Sequence, residues 1–156
     1  MNDMTKQEVI DKLGLTPLLP EGGYVRELHF GEKVDGRPAY GSIYYLLTPD
    51  TISRMHMLEH DELWFYHDGS ALELYLIDET HDEIRYLGKD LEKGEEPQIC
   101  VKAGTYMGAR MKDPDEYTLV STTMTPAYSE DEFTLGSYEE LKDRSSHPEL
   151  LEILCN

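Results

Sequence analysis

The chain has 156 residues, of which 14 are lysine or arginine and 32 are aspartate or glutamate, so its formal net charge is -18. Because so acidic a surface repels phosphate backbones and anionic lipid headgroups, we expect neither nucleic acid nor a membrane as a partner. A chain of this length fits one domain with a substantial hydrophobic core.

A short helix is predicted near the N-terminus. Thr5 and Glu8 stand at the spacing of a capping box, which satisfies two backbone donors at the start of a helix. Apolar residues follow at helical spacing (Val9, Ile10 and Leu13), and Gly14 is suited to end the helix. We expect this helix to lie over a sheet.

Short segments rich in β-branched and aromatic residues follow from Tyr24 onward. Strands are predicted near 24–30, 39–47, 52–58, 62–67, 71–77, 83–87, 98–102, 105–110 and 117–124. Each segment is bounded by turn residues, mainly glycine, proline and aspartate. So many short strands predict an antiparallel sandwich or barrel, but periodicity alone does not choose between a jelly roll and an immunoglobulin-type sandwich.

Helical sequence returns after Pro126, first in a short segment at 138–144. Ser146 and Glu149 then form a second possible capping box before an apolar segment at 150–154. We expect this last helix to dock its apolar side on the sheet or on a partner chain.

The cellular compartment is predicted from what the sequence lacks. Cys100 and Cys155 stand far apart and form no CxxC pattern, so neither a disulfide framework nor a zinc ribbon is expected. The first residues, MNDMTKQEVIDKLG, contain no apolar stretch of the kind found in signal peptides. No apolar segment approaches the ~20 residues that a membrane helix requires. We therefore expect a cytoplasmic protein.

The stretch at 53–69, SRMHMLEHDELWFYHDG, carries the most chemistry in the chain. Because side chains alternate along a strand, each of its two halves presents three residues on one face: Arg54, His56 and Leu58 in the first, and Glu62, Trp64 and Tyr66 in the second. If the two halves pair as a hairpin, these side chains converge on one side of a sheet. A face that mixes charged and aromatic groups suits the wall of a pocket.

The spacing of His56, Glu62 and Gly69 resembles the first motif of the cupin superfamily, which reads His-x-His, three or four residues, Glu, six residues, Gly. Leu58 occupies the place of the second histidine. Six phrases, in order, resemble the DUF985 (cupin-5-like) family: PEGGYVRE at 20–27, SRMH at 53–56, HDELW at 60–64, ALEL at 71–74, GEEPQ at 94–98 and AGTY at 103–106. The resemblance implies an all-β cupin jelly roll in a single domain, 1–156, with its core at about 20–126 and short helices at both ends. It also implies a homodimer.

A cupin metal site normally uses two histidines and a glutamate from the first motif and one histidine from the second. Here the first motif supplies only His56 and Glu62, and the resemblance places Lys102 and Met107 at the proline and histidine positions of the second. Methionine is a poor ligand for a hard divalent ion. We therefore predict no metal cofactor; if one binds, its ligands are His56 and Glu62.

Without a metal, His56 and Glu62 form a candidate acid–base pair, because a carboxylate hydrogen-bonded to an imidazole raises its basicity. The alternative is that the two groups only satisfy each other inside the sandwich. Five further residues are candidate ligand contacts, each with a structural alternative: Arg54, Trp64, Tyr66, Gln98 and Tyr106. Tyr24 and Arg26 in the glycine-rich phrase share a strand face and are expected to serve the fold; the alternative is that this strand reaches the pocket rim or a subunit interface.

Three functions are consistent with these residues. The first is a small-molecule-binding cupin whose ligand lies in the interior near His56 and Glu62. The second is a metal-independent isomerase or epimerase of sugar-like or keto substrates, with His56 as the base. The third is a metal-dependent dioxygenase or isomerase, which the residues Leu58 and Met107 disfavour.

Overall fold

The structure is a computed structural model and describes residues 4–156. In this part of the chain, two β-sheets pack face to face. The strands are β1 (Thr16–Pro17), β2 (Tyr24–Phe30), β3 (Lys33–Val34), β4 (Arg37–Pro38), β5 (Gly41–Leu47), β6 (Ser53–Met57), β7 (Glu62–Gly69), β8 (Leu72–Ile77), β9 (Asp82–Leu87), β10 (Glu95–Glu96), β11 (Gln98–Val101), β12 (Tyr106–Met111), β13 (Thr118–Met124) and β14 (Thr134–Leu135). The α-helices are α1 (Lys6–Leu13), α2 (Tyr138–Leu141) and α3 (Pro148–Leu154), and 3-10 turns span Leu91–Lys93, Glu130–Glu132 and Lys142–Arg144.

The first sheet has the order β1-β2-β5-β13-β7-β11, and the second has the order β10-β9-β8-β12-β6-β14. Each sheet keeps its edge strands, so the two form a sandwich rather than a closed barrel. The prediction of an all-β jelly-roll sandwich with short terminal helices is confirmed. β3 and β4 form a separate small hairpin between β2 and β5.

Alternation of side chains places the core between the sheets. In β13, Thr118, Val120, Thr122 and Met124 are buried, whereas the residues between them are partly exposed. The buried set packs with inward residues of both sheets, including Trp64, Leu74 and Met107. The observed strands match the predicted ones closely because this period-two pattern and the turn residues are both local signals.

The expectation of a hairpin in the central stretch is wrong. β6 pairs with β12 and β14 in the second sheet, whereas β7 pairs with β13 and β11 in the first. The connecting residues 58–61 are held by the turn at 102–104 instead of folding back. Ala103 N donates to Asp61 Oδ1 at 2.8 Å, and Gly104 N donates to Leu58 O at 2.9 Å. The two halves of the stretch therefore belong to opposite walls of the sandwich.

The N-terminal helix forms as predicted. Both hydrogen bonds of the capping box between Thr5 and Glu8 are present, and Gly14 ends the helix in the left-handed conformation with φ of 66°. Val9 and Ile10 are buried in a cluster that includes Leu46 of the first sheet. The helix therefore lies over the outer face of that sheet.

The C-terminal helix docks on the second sheet, but the predicted capping box at Ser146 is wrong. α3 begins at Pro148, and its N-cap residue, His147, makes no side-chain capping bond. The Ser146 backbone and hydroxyl donate instead to Asp82, the first residue of β9. The apolar side of α3 packs on the outer face of that sheet in a cluster with Met55, Tyr75 and Ile77. Within residues 4–156, no helix combines the length and apolar character that crossing a membrane requires.

Candidate functional site

A cavity of about 180 Å³ lies between the sheets at one end of the sandwich. Its wall is formed by β2, β5, β7 and β13, by residues 18–21 and by the segment that contains Tyr128 and Phe133. Most of the lining is apolar or aromatic. Leu19, Phe30 and Tyr128 line the cavity and are also exposed at the surface, so they mark its rim.

Glu62, the first residue of β7, is the most deeply buried carboxylate on the cavity wall. Its side chain is buried because β7 is paired on both sides, with Met124 and Val101 opposite Glu62. Burial, followed by the negative charge of Glu21, raises the pKa of Glu62 to about 8; the nearby Thr122 and Trp64 side chains oppose this rise. Glu62 Oε1 has no hydrogen-bond partner among the described residues. A buried acceptor of this kind is costly unless a ligand or water completes it.

Trp64 lies two residues further along β7 and faces the same cavity. Its ring meets that of Tyr45 edge to face, with centroids 6.1 Å apart and planes at 83°. Trp64 is 1% exposed. Its Nε1 is a second buried polar atom, and no described residue lies in hydrogen-bonding geometry with it. Glu62 and Trp64 therefore place a buried carboxyl group and a buried indole N–H at neighbouring inward positions of β7.

Glu21 is brought to the cavity by the glycine turn that precedes β2. Gly22 has φ of +108°, and a Cβ at this position would lie 2.0 Å from the carbonyl oxygen of Ile52, so the turn requires glycine. Arg54 N donates to Glu21 O at 2.7 Å, and Ser53 Oγ donates to Glu21 Oε2 at 3.1 Å. These bonds fix the Glu21 side chain between the start of β6 and the cavity.

His56 lies behind this wall rather than on it. The ring is 1% exposed and stacks on Phe133, with centroids 5.3 Å apart. Its Nε2 lies 3.6 Å from Glu21 Oε1. Because Glu21 and Phe133 both line the cavity, His56 supports two of its walls without reaching it.

The structure places the other predicted contacts outside the cavity wall. Arg54 is half-buried on β6, and Gln98 is exposed on the edge strand β11. Tyr66 packs against the main core and donates its hydroxyl to Gly69 O at 2.6 Å. Tyr106 is buried on the opposite side of the second sheet, under the C-terminal helices. Of the residues predicted from sequence as functional, Glu62 and Trp64 therefore line the cavity.

Sequence reasoning missed several residues of the wall. Glu21 stands in the PEGG phrase, next to Tyr24 and Arg26, but the sequence predicts no role for it. Tyr24 packs in the hydrophobic cluster beneath α1, and Arg26 Nη1 donates to Leu13 O at 3.0 Å. The phrase itself was the available signal for Glu21. Three more wall residues carried no motif and are distant in sequence: Tyr45, Thr122 and Tyr128.

Residues 7–136 match the Cupin_5 family, described as Cupin superfamily (DUF985). The chain belongs to this family. No curated protein matches the sequence.

Solved structures agree with membership of the DUF985 family. A crystal structure of a protein from Shewanella oneidensis is similar over 98% of each chain, with 31% identity and a TM-score of 0.91. A hypothetical protein from Leishmania major is similar over 97% of each chain, with 29% identity and a TM-score of 0.83. Oxalate decarboxylase from Bacillus subtilis shares the fold, with 14% identity, a TM-score of 0.59, and coverage of 97% of this chain and 38% of the decarboxylase.

The cupin metal-ligand positions of this DUF985 chain do not carry side chains that fit a metal. Met107 stands directly opposite His56 in the pairing of β12 with β6, and Leu58 lines the cavity beside Glu62. Both substitutes are buried and apolar. In the part of the chain that is described, no group of three or more His, Cys, Asp or Glu side chains is placed to hold a metal ion.

Proposed function

We propose that this DUF985 cupin binds a small organic molecule in the cavity between its sheets, in contact with Glu62 and Trp64. The observation that carries the proposal is a mainly apolar cavity of about 180 Å³ with the buried carboxylate of Glu62 on its wall. Ligand sites commonly combine an apolar lining with a few such polar groups. An apolar cavity of about 150 Å³ accommodates benzene, so one of 180 Å³ is of a suitable size for a compact ligand.

A matched pair of substitutions tests this proposal. Thr122 lines the cavity beside Glu62, whereas Thr123 points to the opposite face of the same strand. Thr122→Met adds a longer apolar side chain on the cavity side, and Thr123→Met makes the same change outside it. A fragment library is screened by ligand-observed NMR against the wild type and both variants. We expect bound fragments to be lost with Thr122→Met and retained with Thr123→Met.

The opposite result would overturn the proposal. If no fragment binds the wild type, or if the bound fragments are indifferent to Thr122→Met, the cavity is not the binding site. Thermal unfolding of both variants provides the folding control, because a variant that unfolds below the assay temperature says nothing about the cavity. In that case Thr122→Val, which exchanges the hydroxyl beside Glu62 for a methyl group of similar size, replaces it.

Proton transfer on a bound keto or sugar-like molecule is the second candidate, and one observation favours it. The pKa of Glu62 is raised to about 8, close to the value at which a general acid or base is most effective near neutral pH. Glu62, rather than His56, would exchange the proton, because Glu62 lies on the cavity wall and His56 does not. Fragments that bind are incubated in deuterated water. Incorporation of deuterium that disappears with Glu62→Gln supports this activity, and incorporation that persists in the variant contradicts it.

A further inference from the structure

We propose that the molecule bound in this cavity is a small organic cation, of the substituted-ammonium class. This inference rests on the proposed function, since it names the class of ligand for the same cavity.

The charged groups on the wall are all acidic. Glu21, Glu27 and Glu62 line the cavity, and no lysine, arginine or histidine among the described residues does so. An anionic ligand would be repelled by these carboxylates and would find no cation to pair with on the wall. The overall charge of -18 acts in the same direction, because it raises the local concentration of cations around the chain.

The negative potential extends to the rim of the cavity. Tyr128, a rim residue, has a raised pKa because of partial burial and then because of the charges of Glu130 and Glu21, with smaller contributions from Glu132 and Glu62. Carboxylates from four positions in the sequence therefore act together at the entrance. A cation approaching from solvent would be attracted at the rim before it reached Glu62.

Aromatic rings supply the second half of the site. Five line the cavity: Phe30, Tyr45, Trp64, Tyr128 and Phe133. The edge-to-face contact of Tyr45 with Trp64 sets two of these rings nearly perpendicular, so that they form a corner. Ammonium groups are attracted to ring faces, and aromatic cages recognise quaternary ammonium ligands in this way.

Glu62 is the buried carboxylate on the wall whose charge a bound cation would neutralise. Glu62 is 8% exposed, and its Oε1 lacks a hydrogen-bond partner in the described part of the chain. Glu21, by contrast, is bonded to Ser53 and lies near His56. A bound ammonium group would stabilise the ionised form of Glu62, which burial alone disfavours. A positive charge in the cavity is therefore the ligand charge that this buried carboxylate favours.

Three probes of similar shape and different charge test the inference. Choline is positive, 3,3-dimethylbutan-1-ol is its neutral counterpart, and 3,3-dimethylbutanoate is negative. Each is titrated calorimetrically into the wild-type protein at about pH 9, above the pKa of Glu62. We expect choline to bind about tenfold more tightly than the alcohol or better, and the carboxylate not to bind.

Carboxylate-to-amide variants show where the discrimination arises. Glu62→Gln and Glu21→Gln should each weaken choline about fivefold or more while leaving the alcohol unchanged. Glu79→Gln removes one charge from an exposed turn remote from the cavity and should change neither affinity. It therefore controls for the overall charge.

The outcomes separate this inference from the proposed function. If the alcohol binds as tightly as choline, or if Glu62→Gln leaves choline unaffected, the cation inference is overturned; loss of alcohol binding in Thr122→Met would then still support a ligand in the cavity. If none of the three probes binds, the inference is also overturned, and the fragment screen decides on the cavity independently.

Discussion

The imidazole Nδ1 of His56 lies 2.6 Å from the carbonyl oxygen of Arg54. Because a carbonyl oxygen only accepts, Nδ1 carries the hydrogen and donates it. The other ring nitrogen, Nε2, is the one that faces Glu21. In its neutral form this histidine therefore presents a lone pair to a carboxylate, and only its protonated form can donate to Glu21.

We predict that neutral His56 is the Nδ1–H tautomer. The nitrogen chemical shifts of the ring, measured by long-range ¹H–¹⁵N NMR, report which nitrogen is protonated. His67, whose Nε2 is paired with Ser121 on the outer face of β7, is the internal comparison, since the contact with Ser121 does not fix its tautomer in the same way. A neutral His56 with a protonated Nε2 and a bare Nδ1 would contradict the hydrogen bond to Arg54.

The turn at Gly22 should not tolerate a side chain. In Gly22→Ala, the new Cβ meets the Ile52 carbonyl oxygen at 2.0 Å, and the backbone must keep a positive φ. Gly36→Ala is the matched control, because Gly36 also has positive φ, of +81°, but its Cβ would have nothing within 4 Å. We expect Gly22→Ala to lower the free energy of unfolding in urea by roughly 2 kcal/mol more than Gly36→Ala. Equal losses would mean that strain, not the contact with Ile52, determines the cost.

Glu62 should make the protein less stable as the pH rises. Its pKa is about 8 in the folded chain and 4.5 as a free side chain, so between these values the folded state holds a proton that the unfolded state has released. The contribution is therefore fully present below about pH 4.5 and is lost as the pH approaches about 8. Glu62→Gln should flatten this loss, which amounts to at most about 5 kcal/mol.

Urea unfolding of the wild type and Glu62→Gln at several pH values between about 5 and 8.5 measures this effect. Glu27→Gln is the control, because Glu27 lines the same cavity but is exposed. The relevant quantity is the difference in the free energy of unfolding between wild type and variant at each pH, because the other groups titrate in both proteins. A difference that does not change with pH would show that Glu62 is ionised normally in the folded protein.

The ion pair of Arg37 with Glu132 should contribute far more to the free energy of unfolding than an exposed ion pair does. Glu132 is 2% exposed, and Arg37 also donates from Nε to Ala127 O at 2.7 Å. Arg37→Met leaves a buried carboxylate without its strongest partner, for which we expect a loss of about 3 kcal/mol in the free energy of unfolding. Arg85→Met breaks the more exposed pair with Glu96 and should cost about 1 kcal/mol or less.

Urea unfolding of the two variants side by side tests this difference. Similar losses for both would mean that solvent or His60, which lies 3.3 Å from Glu132, compensates for the missing guanidinium. Because Ala127 and Glu132 flank the segment that carries Tyr128 to the cavity rim, Arg37→Met should also weaken fragment binding, whereas Arg85→Met should not.

The strands could be predicted from sequence because each is encoded locally. β13 alternates buried and exposed residues, and Gly, Pro and Asp mark the turns. The pairing of β6 and β7 could not be predicted in the same way. It depends on contacts of residues 58–61 with residues 102–104, more than 40 positions away, for example from Asp61 to Ala103.

The candidate site was predicted only in part for the same reason. Glu62 and Trp64 share a strand face, which the period-two pattern gives directly. Glu21, Tyr45 and Thr122 reach the cavity from three other positions in the chain, and no spacing relates them to Glu62. The closeness of His56 to Glu62 in the sequence predicts that both line the pocket. Because residues 58–61 cross to the other sheet, His56 instead lies behind Glu21 and Phe133.

That crossing also has a mechanical consequence. The four residues at 58–61 join opposite walls of the sandwich, and a chain spans at most about 3.5 Å per residue, so the walls cannot part at this point without breaking the bonds of Asp61 and Leu58. Exchange of a molecule between the cavity and solvent is therefore expected at the rim, where lining residues such as Leu19, Phe30 and Tyr128 are exposed, without separation of the two sheets at 58–61.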